Sequence, residues 1–304
     1  MKAPSSKILI VLAFFSIYII WGSTYLFNKI AVTELPALYL AAIRFCFAGL
    51  LIIVLAKLFK MNLKISKKQF INSIIAGFLF LVYGNGVFVW ALNYLDSGFA
   101  ALLASTQPLF VLILMRIIDR KPIKKKSIIG VTLGLLGMYL LVSQNDITTK
   151  TGTVLGIFMV FTCVFSWSYG SVFVSKADLP KNFFVATGYQ MLTASVILGI
   201  GSLLFKEQWI SPLDWSIKVK GAMLFLIVFG GIVAFTAFNY LLKQVSTDKV
   251  ASSSYVNPVI AMLLGYTILD ESLSTQSIIA SAILLLGVYF ITSRKEKRPV
   301  KPKI

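Results

Sequence analysis

The chain has 304 residues, of which 58% are hydrophobic and 13% are charged, and its mean hydropathy is +0.87. Soluble domains usually carry about 25% charged residues, so this composition excludes an ordinary soluble domain. The net charge of +18 could suit a nucleic-acid-binding protein, but the basic residues lie between apolar runs and at the C-terminus. That distribution is typical of membrane topology. We therefore expect the lipid bilayer as a partner, and no nucleic acid.

Apolar runs of roughly 20 residues, the length that crosses a bilayer, recur along the whole chain. A β-barrel strand would alternate apolar and polar residues, and runs such as FAGLLIIVLA (47–56) do not alternate. The sequence therefore predicts an all-α integral membrane protein with ten transmembrane helices. The predicted spans are 8–28, 36–56, 70–93, 97–118, 125–143, 152–175, 182–205, 219–242, 248–269 and 275–293.

The loops between these spans carry unequal charge. With the N-terminus placed in the cytoplasm, 23 Lys and Arg residues fall on the cytoplasmic side and five on the other side, with Arg44 inside the second span. Basic residues concentrate in cytoplasmic loops of membrane proteins. We expect both termini in the cytoplasm and a multi-pass protein of the cytoplasmic (inner) membrane.

The sequence repeats itself at about half its length. ALLASTQP (101–108) aligns with ASSSYVNP (251–258), and SIIGVTLGLLGMYLLVSQ (127–144) matches 277–294 at 8 of 18 positions. GNGVFVWALNYL (84–95) matches 230–241 at 6 of 12 positions, with an offset of 146 residues instead of 150. Each half, 1–144 and 145–304, therefore holds five helices. Because five is odd, the second repeat enters the membrane from the opposite side, which predicts inverted repeats.

Inverted repeats with interrupted helices are typical of secondary transporters, whose site lies near the midplane where the halves meet. Gln107-Pro108 and Asn257-Pro258 are such matching interruptions. Proline removes a backbone donor and crowds the preceding turn, so each helix should kink beside an amide that can bind substrate. In the alternative, the kinks are purely structural and the amides bond the carbonyls that the prolines free.

Several segments together resemble the drug/metabolite transporter superfamily, in its EamA-type branch of ten-helix transporters. They are WGSTYLFNK (21–29), PALYLAAIRF (36–45), WALNYLDSGFAALLASTQPLF (90–110), GYQML (188–192) and VNPVIAMLLGYTILDES (256–272). The resemblance covers essentially the whole chain. It implies a carrier that works by alternating access, with export of amino acids or related metabolites as the expected function. Broad efflux of hydrophobic or drug-like compounds is the alternative.

Arg44 is the one charge predicted deep within a span, where an arginine is costly. It could bind a substrate carboxylate, or it could reach the outer interface or a carbonyl of a neighbouring helix. Aromatic and amide side chains of other spans would complete an amphipathic cavity, although tryptophan and tyrosine near helix ends can instead form the interfacial belt. Beside Gln107, Asn257 and Arg44, the predicted site comprises Trp21, Ser23, Tyr83, Asn85, Trp90, Trp167, Gln190 and Tyr255.

No Walker A motif is present and the chain has no histidine, so we expect neither an ATPase nor an enzyme, and no cofactor or metal. All 11 acids fall in loops, tails or helix ends. The small multidrug resistance relatives carry a glutamate in the first helix, which is absent here. We therefore expect a facilitator or exchanger, with Asp270-Glu271 as the remaining candidate for ion coupling. Oligomerisation is not required by this interpretation.

Overall fold

The computed structural model describes residues 6–91, 93–95, 100, 103–120, 122–143, 152–268 and 274–292, which are almost entirely helical and contain no strand. A short helix, Thr247–Ala251, comes directly before the helix that begins at Ser253. Each of the ten predicted spans contains a helix. The helices are α1 Ser6–Ala31, α2 Ala37–Leu58, α3 Lys67–Ala91, α4 Gln107–Asp119, α5 Lys125–Val142, α6 Thr153–Lys176, α7 Phe183–Leu204, α8 Ile217–Gln244, α9 Ser253–Ile268 and α10 Thr275–Thr292.

Seven of these helices, α1, α2, α3, α6, α7, α8 and α10, are long and apolar enough to cross a membrane, counted over the described residues. Their outer faces expose large apolar side chains, such as Val11 and Phe15 on α1 and Val154 and Phe158 on α6. Such faces suit lipid, and helices satisfy their own backbone groups in a bilayer. The chain is therefore an all-α membrane protein, as predicted.

The remaining helices include the two that carry the proline motifs, and these differ from the symmetric expectation. In the first half the chain breaks at Ser105-Thr106, and Pro108 lies in the first turn of α4. A proline is tolerated there because that N–H has no helical partner anyway. In the second half the break falls at Ser252, and Pro258 lies inside α9.

Equivalent helices of the two halves pack against each other in opposite directions. Gly49 of α2 approaches Leu192 of α7, and Gly188 approaches Ile53, so residue numbers rise along α2 as they fall along α7. The equivalent helices α5 and α10 pack through small residues in the same antiparallel way. The repeats are therefore inverted.

The first helix of each half packs into the other half. Helix α1 contacts α8 and α9 of the second half, and α6 contacts α3 and α4 of the first. This exchange places side chains from both repeats around one central volume.

Two π-helical segments of ten residues each interrupt equivalent helices. They are Phe78–Val87 in α3 and Leu226–Phe235 in α8. A π-segment bonds each N–H to the carbonyl five residues back, and such segments occur frequently at functional sites. Neither segment was predicted from the sequence, although each contains glycines, Gly84 in one and Gly230 in the other.

Candidate functional site

A cavity of about 480 Å³ lies between the two halves, within the range of roughly 300–1,000 Å³ usual for small-molecule sites. Helices α1, α2, α3, α4, α6, α8 and α9 supply its walls. This is the interface at which the inverted repeats predict a site. The polar side chains that line it are Thr24, Tyr25, Asn28, Arg44, Asn85, Gln107, Ser253, Ser254 and Asn257.

Arg44 is the charged group of this cavity. It is only 7% exposed, and its terminal nitrogens donate to the side-chain oxygens of Asn28 and Asn85, each at 3.1 Å. The guanidinium carbon lies 4.3 Å from the ring centre of Phe45. Its Nε is buried without a hydrogen-bond partner, and no described carboxylate pairs with it. A buried cation held only by neutral groups retains its attraction for an anion.

Gln107 lies at the start of α4 and also faces the cavity. Its side-chain amide makes no hydrogen bond with any described residue, whereas its backbone oxygen accepts a long bond from Ser168 Oγ at 3.4 Å. The break at Ser105-Thr106 brings Gln107 to this position, because the helix restarts there. The amide is therefore available to a bound molecule, as both donor and acceptor.

Asn257, the equivalent residue of the second half, also lines the cavity but has protein partners. In the amide orientation that matches its surroundings, its nitrogen donates to Ser253 O at 3.1 Å and to Ile17 O at 3.3 Å. The first bond satisfies a carbonyl of its own helix, and the second ties α9 to α1. Both bonds are structural, but neither carbonyl is that of Ser254, which Pro258 leaves without its helical donor.

An aromatic plug, formed by Trp21, Trp167, Phe80 and Phe238, borders the cavity. The two tryptophans meet edge to face with ring centres 5.7 Å apart, and Phe238 packs on them at 5.0 and 5.8 Å. Phe80 lies 5.1 Å from Trp167. Only the tryptophans line the cavity, so the phenylalanines form the layer behind them.

The π-segments border the cavity, and the first helix of the opposite half supplies hydrogen-bond donors to their carbonyls. Trp21 Nε1 donates to Gly230 O at 3.3 Å, and Ser166 Oγ donates to Leu79 O at 2.8 Å. At Gly84 a Cβ would lie 2.7 Å from that same Leu79 oxygen, so the close approach requires glycine. These contacts hold the irregular backbone where it borders the site.

Five predicted site residues do not line this cavity, and each has a packing or hydrogen-bond partner elsewhere. In this conformation none of them would touch a molecule bound in the cavity. Ser23 Oγ donates to Ile19 O, Tyr83 OH to Thr162 Oγ1 at 3.3 Å, and Gln190 Nε2 to Asn239 Oδ1 at 3.4 Å, while Trp90 packs on Phe205 and Tyr255 lies over Gly134.

The prediction missed a polar stripe on α1. Thr24, Tyr25 and Asn28 line the cavity together with Trp21 and Val32. Their spacings of three, four, seven and eleven residues from Trp21 place them on one helical face. That periodicity is visible in the sequence and would have identified the face. Ser253 and Ser254 were also missed, and only the break before α9 brings them to the cavity.

Described acids at one end of the helices hold the two halves together. Glu207 accepts hydrogen bonds from the backbone N–H groups of Leu38 (3.1 Å) and Tyr39 (2.7 Å) at the start of α2. Glu34 accepts one from the Ser216 N–H at 3.1 Å. The side-chain and backbone hydrogen bonds of Ser216 hold the pKa of Glu34 below its ordinary value. These carboxylates act in helix contacts, away from the cavity.

The other end has similar contacts. Lys176 of α6 pairs with Asp119 of α4, and Gln69 of α3 donates to Asp178 at 3.2 Å. Asp270-Glu271, the candidate pair for ion coupling, lies outside the described residues.

The chain is similar over nearly its whole length to proteins of a transporter family. A model of the EamA-like transporter family matches it twice, at residues 8–143 and 154–293. The uncharacterized inner membrane transporter YedA of Escherichia coli (strain K12) is 34% identical over 293 residues, covering 96% of this chain and 93% of that protein. Protein PagO of Salmonella typhimurium (strain LT2) is 22% identical over 294 residues, covering 97% and 96%.

The uncharacterized transporter YoaV of Bacillus subtilis (strain 168) is 20% identical over 291 residues, covering 96% of this chain and 99% of that protein. One solved crystal structure superposes with a TM-score of 0.78 at 19% identity, covering 93% of this chain and 96% of that chain. That similarity concerns the fold alone.

Proposed function

The chain belongs to the EamA-like transporter family, and we propose that it exports small metabolites bearing a carboxylate, amino acids or related compounds, by alternating access at the cavity between its halves. The family resemblance seen in the sequence is confirmed. The chain is a multi-pass transporter of the inner membrane.

Arg44 carries the proposal. A buried guanidinium without a described acidic partner, and with one nitrogen unbonded, faces a cavity of small-metabolite size. A carboxylate would give it a charge-assisted, bidentate partner. Gln107, whose amide is free of described partners, lines the same cavity and suits the amino group or backbone of an amino acid, because an amide both donates and accepts.

The energy source follows from the cavity lining. No acidic side chain among the described residues lines it, and proton-coupled carriers usually bury such a group. The proposal is therefore a facilitator or exchanger driven by the substrate gradient.

Counterflow in proteoliposomes tests the substrate class. Vesicles are loaded with a mixture of unlabelled amino acids, and uptake of one radiolabelled amino acid at a time is compared with uptake of its decarboxylated amine. We expect the amino acid to be preferred by wild type, and Arg44→Gln to lose this preference with a fall in uptake of about tenfold to a hundredfold, or ~1.4–2.8 kcal/mol. Lys206→Gln, which removes a cation outside the cavity, is the matched control.

Equal uptake of acid and amine by wild type would contradict the role of Arg44. The second candidate function, efflux of hydrophobic compounds, draws on the aromatic lining by Trp21, Trp167 and Phe235. It predicts that cells overexpressing the chain resist dyes and biocides, whereas amino-acid export predicts resistance to toxic amino-acid analogues.

A further inference from the structure

The pseudo-two-fold axis of the inverted repeats can be located from side chains. Trp21 and Trp167 are 146 residues apart, the offset that aligns 84–95 with 230–241, and they touch each other. Two equivalent residues can be in contact only where the axis passes between them. Gln107 and Asn257 are also equivalent, and both line the cavity. The axis therefore passes between the two tryptophans, at the aromatic plug that borders the cavity.

The same offset relates Arg44 to Gln190. Each is the eighth residue of its helix, α2 from Ala37 and α7 from Phe183. Because α2 and α7 run antiparallel with Gly49 beside Leu192, Gln190 is level with a position seven residues beyond Arg44. At 1.5 Å per residue this is a depth difference of about 10 Å. Gln190 thus occupies the position that the two-fold axis relates to Arg44. It lies nearer the cytoplasmic end of the helices, the end that the basic loops identify.

The surroundings of Gln190 are polar and fully buried. Gln190 has no exposed surface and exchanges hydrogen bonds with Asn239 at 3.3 and 3.4 Å. Asn239 also donates to Thr187 Oγ1 at 3.3 Å. One turn earlier on α8, the buried hydroxyl of Thr236 has no partner. We name Gln190, Asn239, Thr187 and Thr236 the inner polar cluster.

Geometry favours more than a packing role for this cluster. Its bonds between side chains, at 3.3–3.4 Å, are longer than the usual N–H···O range of about 2.7–3.2 Å. One hydroxyl is unsatisfied, although burying a polar group without a partner is costly. Phe238, next to Asn239, packs on the side of the tryptophans away from the cavity. The cluster therefore lies behind the plug. Rotation about the symmetry axis would place the cavity there.

We propose that the inner polar cluster is the cytoplasmic substrate station, closed in this conformation and opened when the halves exchange conformations. The inference rests on the proposed function. The station would take the polar end of the same amino-acid-like substrate through neutral amides and hydroxyls. Because Gln190 replaces a cation, a carboxylate is held more weakly from the cytoplasmic face than from the Arg44 face.

Access is tested with single cysteines in a background carrying Cys46→Ser and Cys163→Ala. A membrane-impermeant maleimide is applied to spheroplasts or to inside-out vesicles, and labelling is read by gel shift. We expect Asn85→Cys to react from outside and Asn239→Cys to react from the cytoplasmic side. Thr187→Cys, a smaller change on α7, provides a second probe should Asn239→Cys fail to fold. Ala222→Cys, equally buried on α8, is the unreactive control.

Binding is tested by the half-saturating concentration of a transported amino acid, measured from each face. Gln190→Leu should raise the half-saturating concentration about fivefold to tenfold on the cytoplasmic side, ~1–1.4 kcal/mol, and leave the value on the outer side unchanged. Arg44→Gln should raise the outer value and leave the cytoplasmic value unchanged.

No reaction at Asn239→Cys and Thr187→Cys from the cytoplasmic side, while Asn85→Cys reacts from outside, would overturn the station. Equal effects of Gln190→Leu on both faces would do so too. A protein that is labelled as expected but transports no amino acid would contradict the proposed function. The cytoplasmic access of the cluster would still hold.

Discussion

The two proline motifs, Gln107-Pro108 and Asn257-Pro258, have the same sequence logic and different roles in the structure. Gln107 stands at the first residue of α4, with its amide open to the cavity. Asn257 lies within α9, and its amide is bonded to Ser253 and Ile17. Both amides line the cavity, but only that of Gln107 is free to bind a ligand, whereas that of Asn257 holds its helix in place.

The comparison extends to the neighbouring residues. Tyr255, two positions before Asn257, is fully buried, and its ring fills the space left by Gly134 of α5. The second motif is therefore packed on two sides, against α1 and α5. The side-chain amide of Gln107, by contrast, bonds to no described residue, so its replacement removes no hydrogen bond among them.

Replacing the amides by acids should give the largest contrast. Asn257→Asp sets a carboxylate against two carbonyl oxygens and removes the donor, so we expect a loss of about 3 kcal/mol or more and little folded protein. Gln107→Glu faces the cavity and should fold, although it would repel a substrate carboxylate. Size-exclusion profiles of detergent extracts compare the two, and equal yields would contradict the division of roles.

A smaller loss is expected at the packing around the second motif. In Gly134→Ala the new Cβ would lie 2.2 Å from Tyr255 Cζ, so the ring must move at a cost of about 1–3 kcal/mol. Gly199→Ala is the matched control, because nothing lies within 4 Å of its Cβ position. Melting curves in detergent should rank Gly134→Ala below Gly199→Ala, and the opposite order would show that Tyr255 is not fixed by α5.

The smallest expected effect concerns the free amide. Gln107→Leu should leave the melting temperature unchanged and lower counterflow of a transported amino acid about tenfold, ~1.4 kcal/mol. Asn257→Leu should lower both, because buried carbonyls lose their donor. Unchanged transport by a folded Gln107→Leu would show that this amide also serves only the helix break.

Much of the fold was predictable because a bilayer restricts the chain to a few solutions. Apolar runs must become helices, and basic loops must stay in the cytoplasm. The 146- and 150-residue offsets indicate inverted repeats, and the structure confirms them in the antiparallel packing of α2 on α7. Part of the cavity lining followed too: Arg44, Asn85, Gln107, Asn257, Trp21 and Trp167 are together in the structure.

The tertiary structure alone decided the rest. Sequence symmetry treats Gln107 and Asn257 alike, and only the packing of α1 against α9 gives Asn257 the Ile17 carbonyl as a partner. The π-segments were not predicted from the sequence, and the donors that their carbonyls receive, from Trp21 and Ser166, come from the opposite half of the chain. The sequence by itself determined a ten-helix inverted repeat with a polar centre. Which of the two amides stays free of protein partners depends on contacts between distant helices, which no local pattern encodes.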